Sequence, residues 1–256
     1  MEKSLSVAAS FFLFSERLYG SLSLTFSCNF FESNGHKLFA YYVAIFYVGD
    51  MSLNIVKHPL VDKILTDLRD ENTQDSRFRI LGKQVTYFLL IEATKNLATK
   101  PRRIRTPLSD FDGVDLAQSI VIVPILRSGV AMLEPAIDLF QDASVGYIGL
   151  ERNEKTAVAG TYYCKFPVMK DKFVMIVDPM LATGHSAELA IEAVLKTGPA
   201  HVVMVSIVAA PEGVKHLEKV YPNVPIYAAA IDEKLNDKKF IVPGLGDFGD
   251  RAYGTK

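Results

Sequence analysis

The chain has 256 residues, 49% of them hydrophobic, and its 28 basic and 29 acidic residues leave a formal charge of -1. That supplies core for one large domain or two small ones, and the near-neutral balance excludes a nucleic-acid protein relying on overall positive charge. The two cysteines, Cys28 and Cys164, show no Cys-x-x-Cys spacing, which excludes a disulfide framework and a zinc site and fits a reducing, cytoplasmic setting.

Residues 1–52 read as an atypical extension. Residues 1–50 hold 12 of the 27 aromatic side chains, few charges, and two apolar runs, Val7 to Phe14 and Leu38 to Val48. Neither run reaches the ~18 to 20 apolar residues of a membrane span. The start Met1-Glu2-Lys3 and the end Phe14-Ser15-Glu16-Arg17 of the first run lack the pattern of a secretory signal. Arg17 and several serines speak for organelle targeting. The onset of ordinary charge and periodicity after Met51 speaks more strongly for an upstream extension of a reading frame that starts at Met51. The fold is therefore read from Leu53 to Lys256.

Apolar residues recur at helical spacing over Leu60 to Leu68 and again over Phe78 to Leu89, which predicts two amphipathic helices, the second capped by Asp75 or Ser76. Pro101 and Pro107 mark an irregular connection, in which the basic run Thr99 to Arg105 reads as solvated surface. Three continuous apolar runs, Ile120 to Leu126, Phe173 to Val177 and Val202 to Ala209, alternate with helical patterns at Val130 to Phe140 and Ala187 to Leu195. Buried parallel strands are the natural reading. Gly198 sits where a helix should stop, and Ile226 to Ile231 offers a further strand before a glycine-rich end. No repeat is evident, and the fold class is α/β, a doubly wound and mainly parallel sheet with N-terminal helices.

The run from Val174 to Ser186 carries the most chemistry. A short apolar strand delivers Asp178 into a small, hydroxyl-bearing loop, Ala182-Thr183-Gly184-His185-Ser186, that opens a helix. Helix N-termini present unpaired N–H groups and partial positive charge, so a phosphate fits there, with Asp178 placed to hold a polyhydroxylated ring beside it. A plain helix cap would use the same residues. The strand ending in Arg127-Ser128-Gly129 brings a guanidinium to the same sheet edge, either to bind phosphate oxygens or to form an ion pair. The segment Glu151 to Thr156 reads as a mobile hairpin, a lid carrying Arg152 or simply an exposed charged turn.

The C-terminal run Ile241 to Asp250 contains Gly-x-Gly-x-x-Gly. It is no dinucleotide fingerprint, because only seven residues follow Gly249, too few for a helix and a second strand. Its backbone can instead read the edge of a flat base, with Phe248 adding apolar contact. The histidines His36, His58, His185, His201 and His216 show no metal-ligand spacing. The ring of His185, inside the presumed phosphate loop, either donates to the ligand or points to solvent.

Taken together, these motifs resemble those of the uracil phosphoribosyltransferase family, of the type I phosphoribosyltransferase fold, over about Asn54 to Lys256. The likeness is carried by Lys57-His58-Pro59-Leu60, Pro124 to Gly129, Arg152-Asn153-Glu154, Val177 to Gly184, Ala209 to Gly213, Val242 to Asp247 and Gly254-Thr255-Lys256. The resemblance implies that uracil and 5-phospho-α-D-ribose 1-diphosphate (PRPP) give UMP and diphosphate, with Mg²⁺ accompanying PRPP and no protein ligand assigned to it beyond a place near Asp247. Arg127 and Arg152 would bind the diphosphate and Asp178 the ribose hydroxyls, these three forming the catalytic set. PRPP contacts would run on through Pro179, Met180 and Leu181 to Ala182, Thr183, Gly184, His185 and Ser186 at the 5′-phosphate. A C-terminal hood would read uracil through Ile241, Gly246, Asp247 and Phe248, with Asp247 also facing the sugar diphosphate. An oxocarbenium-like transition state is expected, with no general base evident for the uracil nitrogen.

The resemblance further implies a homodimer or homotetramer and GTP as a candidate effector, while the charge balance and the short apolar runs speak for neither nucleic acid nor membrane as partner. Two departures stand out. Many relatives have Gly-Gly-Ser where Gly184-His185-Ser186 stands, so a positive φ at position 185 would strain the histidine. Phe248 replaces a smaller residue of many members and is expected to tighten the pocket rim. A transferase for another base and a non-catalytic nucleotide sensor remain the competing readings, the intact Arg127, Arg152, Asp178 and Asp247 counting against the sensor.

Overall fold

The structure is a computed structural model and describes residues 22–33, 36–47, 53–152 and 159–255. The chain divides into two compact units, Met1–Asp50 and Met51–Lys256. In the first, β1 (Leu22–Ser33) pairs antiparallel with β2 (His36–Tyr47) from Leu22↔Tyr47 to Ser33↔His36. Most of the apolar run at Leu38 thus lies on β2, while the run Val7 to Phe14 falls outside the described residues.

The second unit continues with β3 (Leu53–Ile55), α1 (Pro59–Arg69), α2 (Asp75–Thr94), β4 (Thr99–Arg105), β5 (Asp110–Leu116), β6 (Ile120–Leu126), α3 (Val130–Leu139), β7 (Ser144–Val145), β8 (Tyr147–Arg152) and β9 (Ala159–Lys165). There follow β10 (Phe173–Val177), β11 (Met180–Leu181), α4 (His185–Leu195), β12 (His201–Ala209), α5 (Pro211–Val220), β13 (Ile226–Ile231), β14 (Lys234–Leu235), β15 (Ile241–Val242) and α6 (Phe248–Tyr253). The main sheet has the order β3-β13-β12-β10-β6-β8-β9, with β7 beside β6 and β11 beside β12. Every pairing in it is parallel except β8 with β9.

The central strands are apolar throughout because both sheet faces are covered. Ile122, Met175, Val203 and Val205 point into one core with Val61 and Ile64 of α1, Leu81 and Leu89 of α2, and Met132 of α3. Their neighbours Val121, Val123, Val174, Ile176 and Met204 point into the other, with Ala190, Ile191 and Val194 of α4 and Leu217 of α5. Helices therefore lie on both sides, as a doubly wound sheet requires. Each fully buried aliphatic side chain contributes about 1.5–3 kcal/mol, so this double layer is a rigid platform for whatever stands at the strand ends.

Two local expectations change. Helix α2 is capped by Gln74 without a side-chain bond, and Asp75 instead starts the helix, where its charge complements the dipole. The run Thr99 to Arg105 is no irregular connection but strand β4, paired with β5 in a two-stranded arm. The proline that argued against a strand is tolerated because the arm is only two strands wide, so half its backbone N–H groups face no partner. Its charges are indeed solvated, with Arg103 and Arg105 pairing to Asp110 at 3.3 Å.

Candidate functional site

Parallel strands bring their carboxyl ends to a common edge, and β6, β8 and β10 here deliver Arg127, Arg152 and Asp178 to it. Gly129 allows the turn after β6 to close on its neighbour. A Cβ there would stand 2.5 Å from the Val177 carbonyl oxygen and 2.6 Å from that of Ile125. This approach sets Ser128 beside the end of β10, where its Oγ donates to Asp178 Oδ1 at 2.8 Å. Arg127 is exposed, and among the described residues no carboxylate pairs with it. Arg152 closes the paired part of β8, opposite Ala159 on β9, and residues 153–158 of the expected lid fall outside the described residues.

Asp178 is 9% exposed. Burial pushes its carboxyl up to about 7, and the Asp247 charge adds to the rise, whereas the Ser128 hydroxyl and the Met180 amide, both donors, hold it down. A carboxylate so placed is an acceptor short of positive charge. It gains most from ligand hydroxyls that donate to it and from a cation close by.

Beyond Asp178 the chain stays in the sheet for a moment. Pro179 is buried, and its carbonyl accepts from the Ile207 and Val208 amides at 3.0 Å. Met180 and Leu181 pair with β12, and Leu181, 2% exposed, belongs to the core. Only then does the loop open. Ala182 and Thr183 are half-buried, Gly184 takes φ 86° at the N-cap, and His185 and Ser186 begin α4. No side chain caps this end, so the first-turn amides are free for an anion. The left-handed residue is Gly184, so His185 sits in ordinary helical backbone and carries none of the strain feared for it.

The opposite wall is the C-terminal hood. Arg69, the last residue of α1, grips Asp232 with both guanidinium nitrogens at 2.8 and 2.6 Å. Asp232 Oδ2 in turn accepts from the Gly244 amide at 2.8 Å, and Arg69 donates to the Gly244 carbonyl at 2.7 Å. Arg251 donates to the Leu68, Asp70 and Leu245 carbonyls and lies 4.3 Å over the Phe78 ring. Between these clamps β14 pairs with β15, Val242-Pro243 is cis, and Asp247 caps α6 by accepting from the Asp250 amide. The seven residues after Gly249 do suffice for the end of a six-residue helix, though no strand follows it.

Phe248 is 1% exposed, with its ring 4.9 Å from that of Phe78 and against Gly82. It is a core anchor for the hood and also borders the cavity.

The two walls enclose a cavity of about 230 Å³. Ser128, Asp178, Met180 and Ala182 line it from the sheet edge, and Lys239, Phe240, Ile241, Gly246, Asp247, Phe248 and Gly249 from the hood. Thus Asp178, Met180, Ala182, Ile241, Gly246, Asp247 and Phe248 meet at one cavity, as the sequence suggested. Arg127, Thr183, Gly184, His185 and Ser186 follow in the adjoining turns, and Pro179 and Leu181 support from within the sheet. Sequence reasoning overlooked Ser128, whose hydroxyl between an Arg and a turn glycine was the available signal. It also overlooked Lys239 and Phe240, which carry no motif. Among the described residues no three His, Cys, Asp or Glu gather as a metal site.

A buried carboxyl, an uncapped helix N-terminus and the hood stand together at one edge of an α/β sheet, a set of groups that a pentosyltransferase can use. The comparisons with known proteins agree and are more specific. The uracil phosphoribosyltransferase profile matches residues 55–255. The uracil phosphoribosyltransferase of Campylobacter concisus is 43% identical over 205 residues, 80% of this chain and 99% of the relative, and that of Roseiflexus castenholzii 45% over 202 residues, 78% and 97%. A solved structure, the AQ2163 protein from Aquifex aeolicus, is 38% identical with a TM-score of 0.77, covering 80% of this chain and 99% of that one. The chain belongs to the uracil phosphoribosyltransferase family.

Proposed function

We propose that the cavity binds uracil and PRPP together and yields UMP and diphosphate. Asp178 carries the reading. It is the one buried carboxylate among the described residues that lines this cavity, and ribose hydroxyls would add donors to its remaining lone pairs. The 5′-phosphate is assigned to Ala182, Thr183, Gly184, His185 and Ser186 at the α4 N-terminus, and Pro179 to Leu181 hold that turn in register. Arg127 and Arg152 are assigned to the diphosphate, whose charge grows as its bond to the sugar C1 breaks. Uracil is assigned to the backbone of Ile241 and Gly246 to Phe248, with the new bond formed from its ring nitrogen to C1. No nucleophilic side chain is needed, and the enzyme's part is position and electrostatics around an oxocarbenium-like sugar.

Mg²⁺ fits as a companion of the sugar diphosphate. Asp178 and Asp247 are the only carboxylates among the described residues that line the cavity, too few for an all-protein cage. Mg²⁺ bound largely through phosphate oxygens and water suits that donor set. When bound it would neutralise the departing diphosphate, with Asp247 the carboxylate best placed to face it.

We further assign the catalytic unit to residues 53–256, on the extent of the family match, and set residues 1–52 apart. No helix among the described residues is long and apolar enough to cross a membrane, and a cytoplasmic site is inferred from the unpaired, exposed thiol of Cys164. A homodimer or homotetramer and a GTP effector are carried over from the family resemblance. The test is turnover: UMP should form only when uracil, PRPP and Mg²⁺ are all present. A folded chain that forms none overturns the proposal.

A further inference from the structure

We infer that His216 and Glu188 are positioning residues for the 5′-phosphate, acting through His185 on the Thr183 hydroxyl. The inference rests on Ala182–Ser186 being the phosphate loop, as proposed above. His216 comes from α5 and Glu188 from the first turn of α4, and neither lies in a motif that the sequence marked for chemistry.

His216 Nε2 lies 2.7 Å from Glu188 Oε2. A carboxylate only accepts, so the proton of this bond sits on Nε2 and the ring is fixed in one orientation. The His185 ring lies on that fixed plate, with centroids 4.8 Å apart and planes 25° from parallel. The same plate also backs the loop itself, since a Cβ on Gly184 would stand 3.1 Å from His216 Cδ2. Thus an exposed side chain that would otherwise sample several rotamers is held in one.

The held ring places Nδ1 3.1 Å from Thr183 Oγ1. That contact has two arrangements. If the hydroxyl donates to Nδ1, its single proton is spent and it turns lone pairs to the ligand. If Nδ1–H donates, the hydroxyl proton is free for a phosphate oxygen. Phosphate oxygens only accept, so a bound phosphate selects the second arrangement, and the stack makes it available without a search. Glu188 and His216 thereby act on phosphate affinity and leave the base subsite alone.

The test uses the full chain with His216→Ala, which removes plate and bond, and His216→Phe, which keeps a flat face and loses the Glu188 bond. His216→Ala should raise KM for PRPP about fivefold, the scale of one weakened hydrogen bond to a charged group, with KM for uracil within about twofold of the parent. Calorimetric titration with ribose 5-phosphate should weaken by the same factor, and His216→Phe should fall between. Parent-like ribose 5-phosphate affinity in folded His216→Ala overturns the inference, and so does a parallel rise in both KM values. Should His216→Ala fail to fold, the volume-keeping His216→Phe decides: weaker ribose 5-phosphate binding supports the inference and parent-like binding overturns it. If the parent chain makes no UMP, the functional proposal has failed, while the ribose 5-phosphate titration still decides this one.

Discussion

The turn from β10 into α4 and the segment from Asp232 to Tyr253 border the same cavity and reach it by different means. The turn is placed by its own strand and helix: β10 is buried on both faces, Asp178 follows it directly, and α4 packs Ala187, Ala190 and Ile191 back onto the sheet. The hood has only two-residue strands and a six-residue helix of its own. It is held by side chains far off in sequence, chiefly Arg69 on Asp232 and Gly244, Arg251 on the end of α1, and Phe248 in the core with Phe78. The sheet edge is thus preformed by packing, which tolerates substitution site by site. The hood depends on a few polar clamps that fail as units.

The sharpest test of this contrast is Asp178→Asn, which leaves the platform intact and removes the charge it carries. Transfer should slow by about 10²- to 10³-fold, the scale for losing one group that meets the developing charge. Stability should move the other way. The native Asp178 carboxyl is raised from 3.8 to about 7, so its burial disfavours the folded state increasingly as pH rises from about 4 to 7 and fully above that. The Asn variant lacks this loss, and unfolding curves at pH 8 should show it the more stable by roughly 4 kcal/mol, with the gap vanishing near pH 4. Equal stability at both pH values would mean the carboxylate is solvated after all.

Breaking the hood clamp should give the opposite profile. Asp232→Ala leaves the Arg69 guanidinium and the Gly244 amide without their shared acceptor, at a cost of about 3 kcal/mol. KM for uracil should rise roughly tenfold with a smaller change for PRPP. A rise confined to PRPP would break the assignment of base and phosphate to separate walls. At the small end, Arg103→Ala on the β4–β5 arm removes only exposed pairs to Asp110 and Asp112. The melting temperature should shift by less than about 2 °C.

The same contrast explains what could be read in advance. The runs Ile120–Leu126 and Phe173–Val177 are strands to the residue, because burial on both faces writes a continuous apolar signal. Asp178 and the loop after it were legible for the same reason, being fixed relative to the strand that precedes them. That Phe248 also anchors the hood in the core was not legible, because nothing near it in sequence reveals Phe78 and Gly82 beneath it. Strand β4 was hidden by Pro101 and a run of charges, which an exposed two-stranded arm accepts and a central strand would not. Lys239 and the pair His216 and Glu188 owe their places to tertiary approach alone, and local pattern has no means of announcing them.

A crystal structure of the full chain with UMP bound would test the shared cavity most directly. The ribose hydroxyls should lie within hydrogen-bond distance of Asp178, the phosphate against the amides of Thr183 to Ser186, and the uracil ring against the backbone of Ile241 and Gly246. A nucleotide whose sugar lies away from Asp178, or whose base lies outside the hood, would contradict that arrangement.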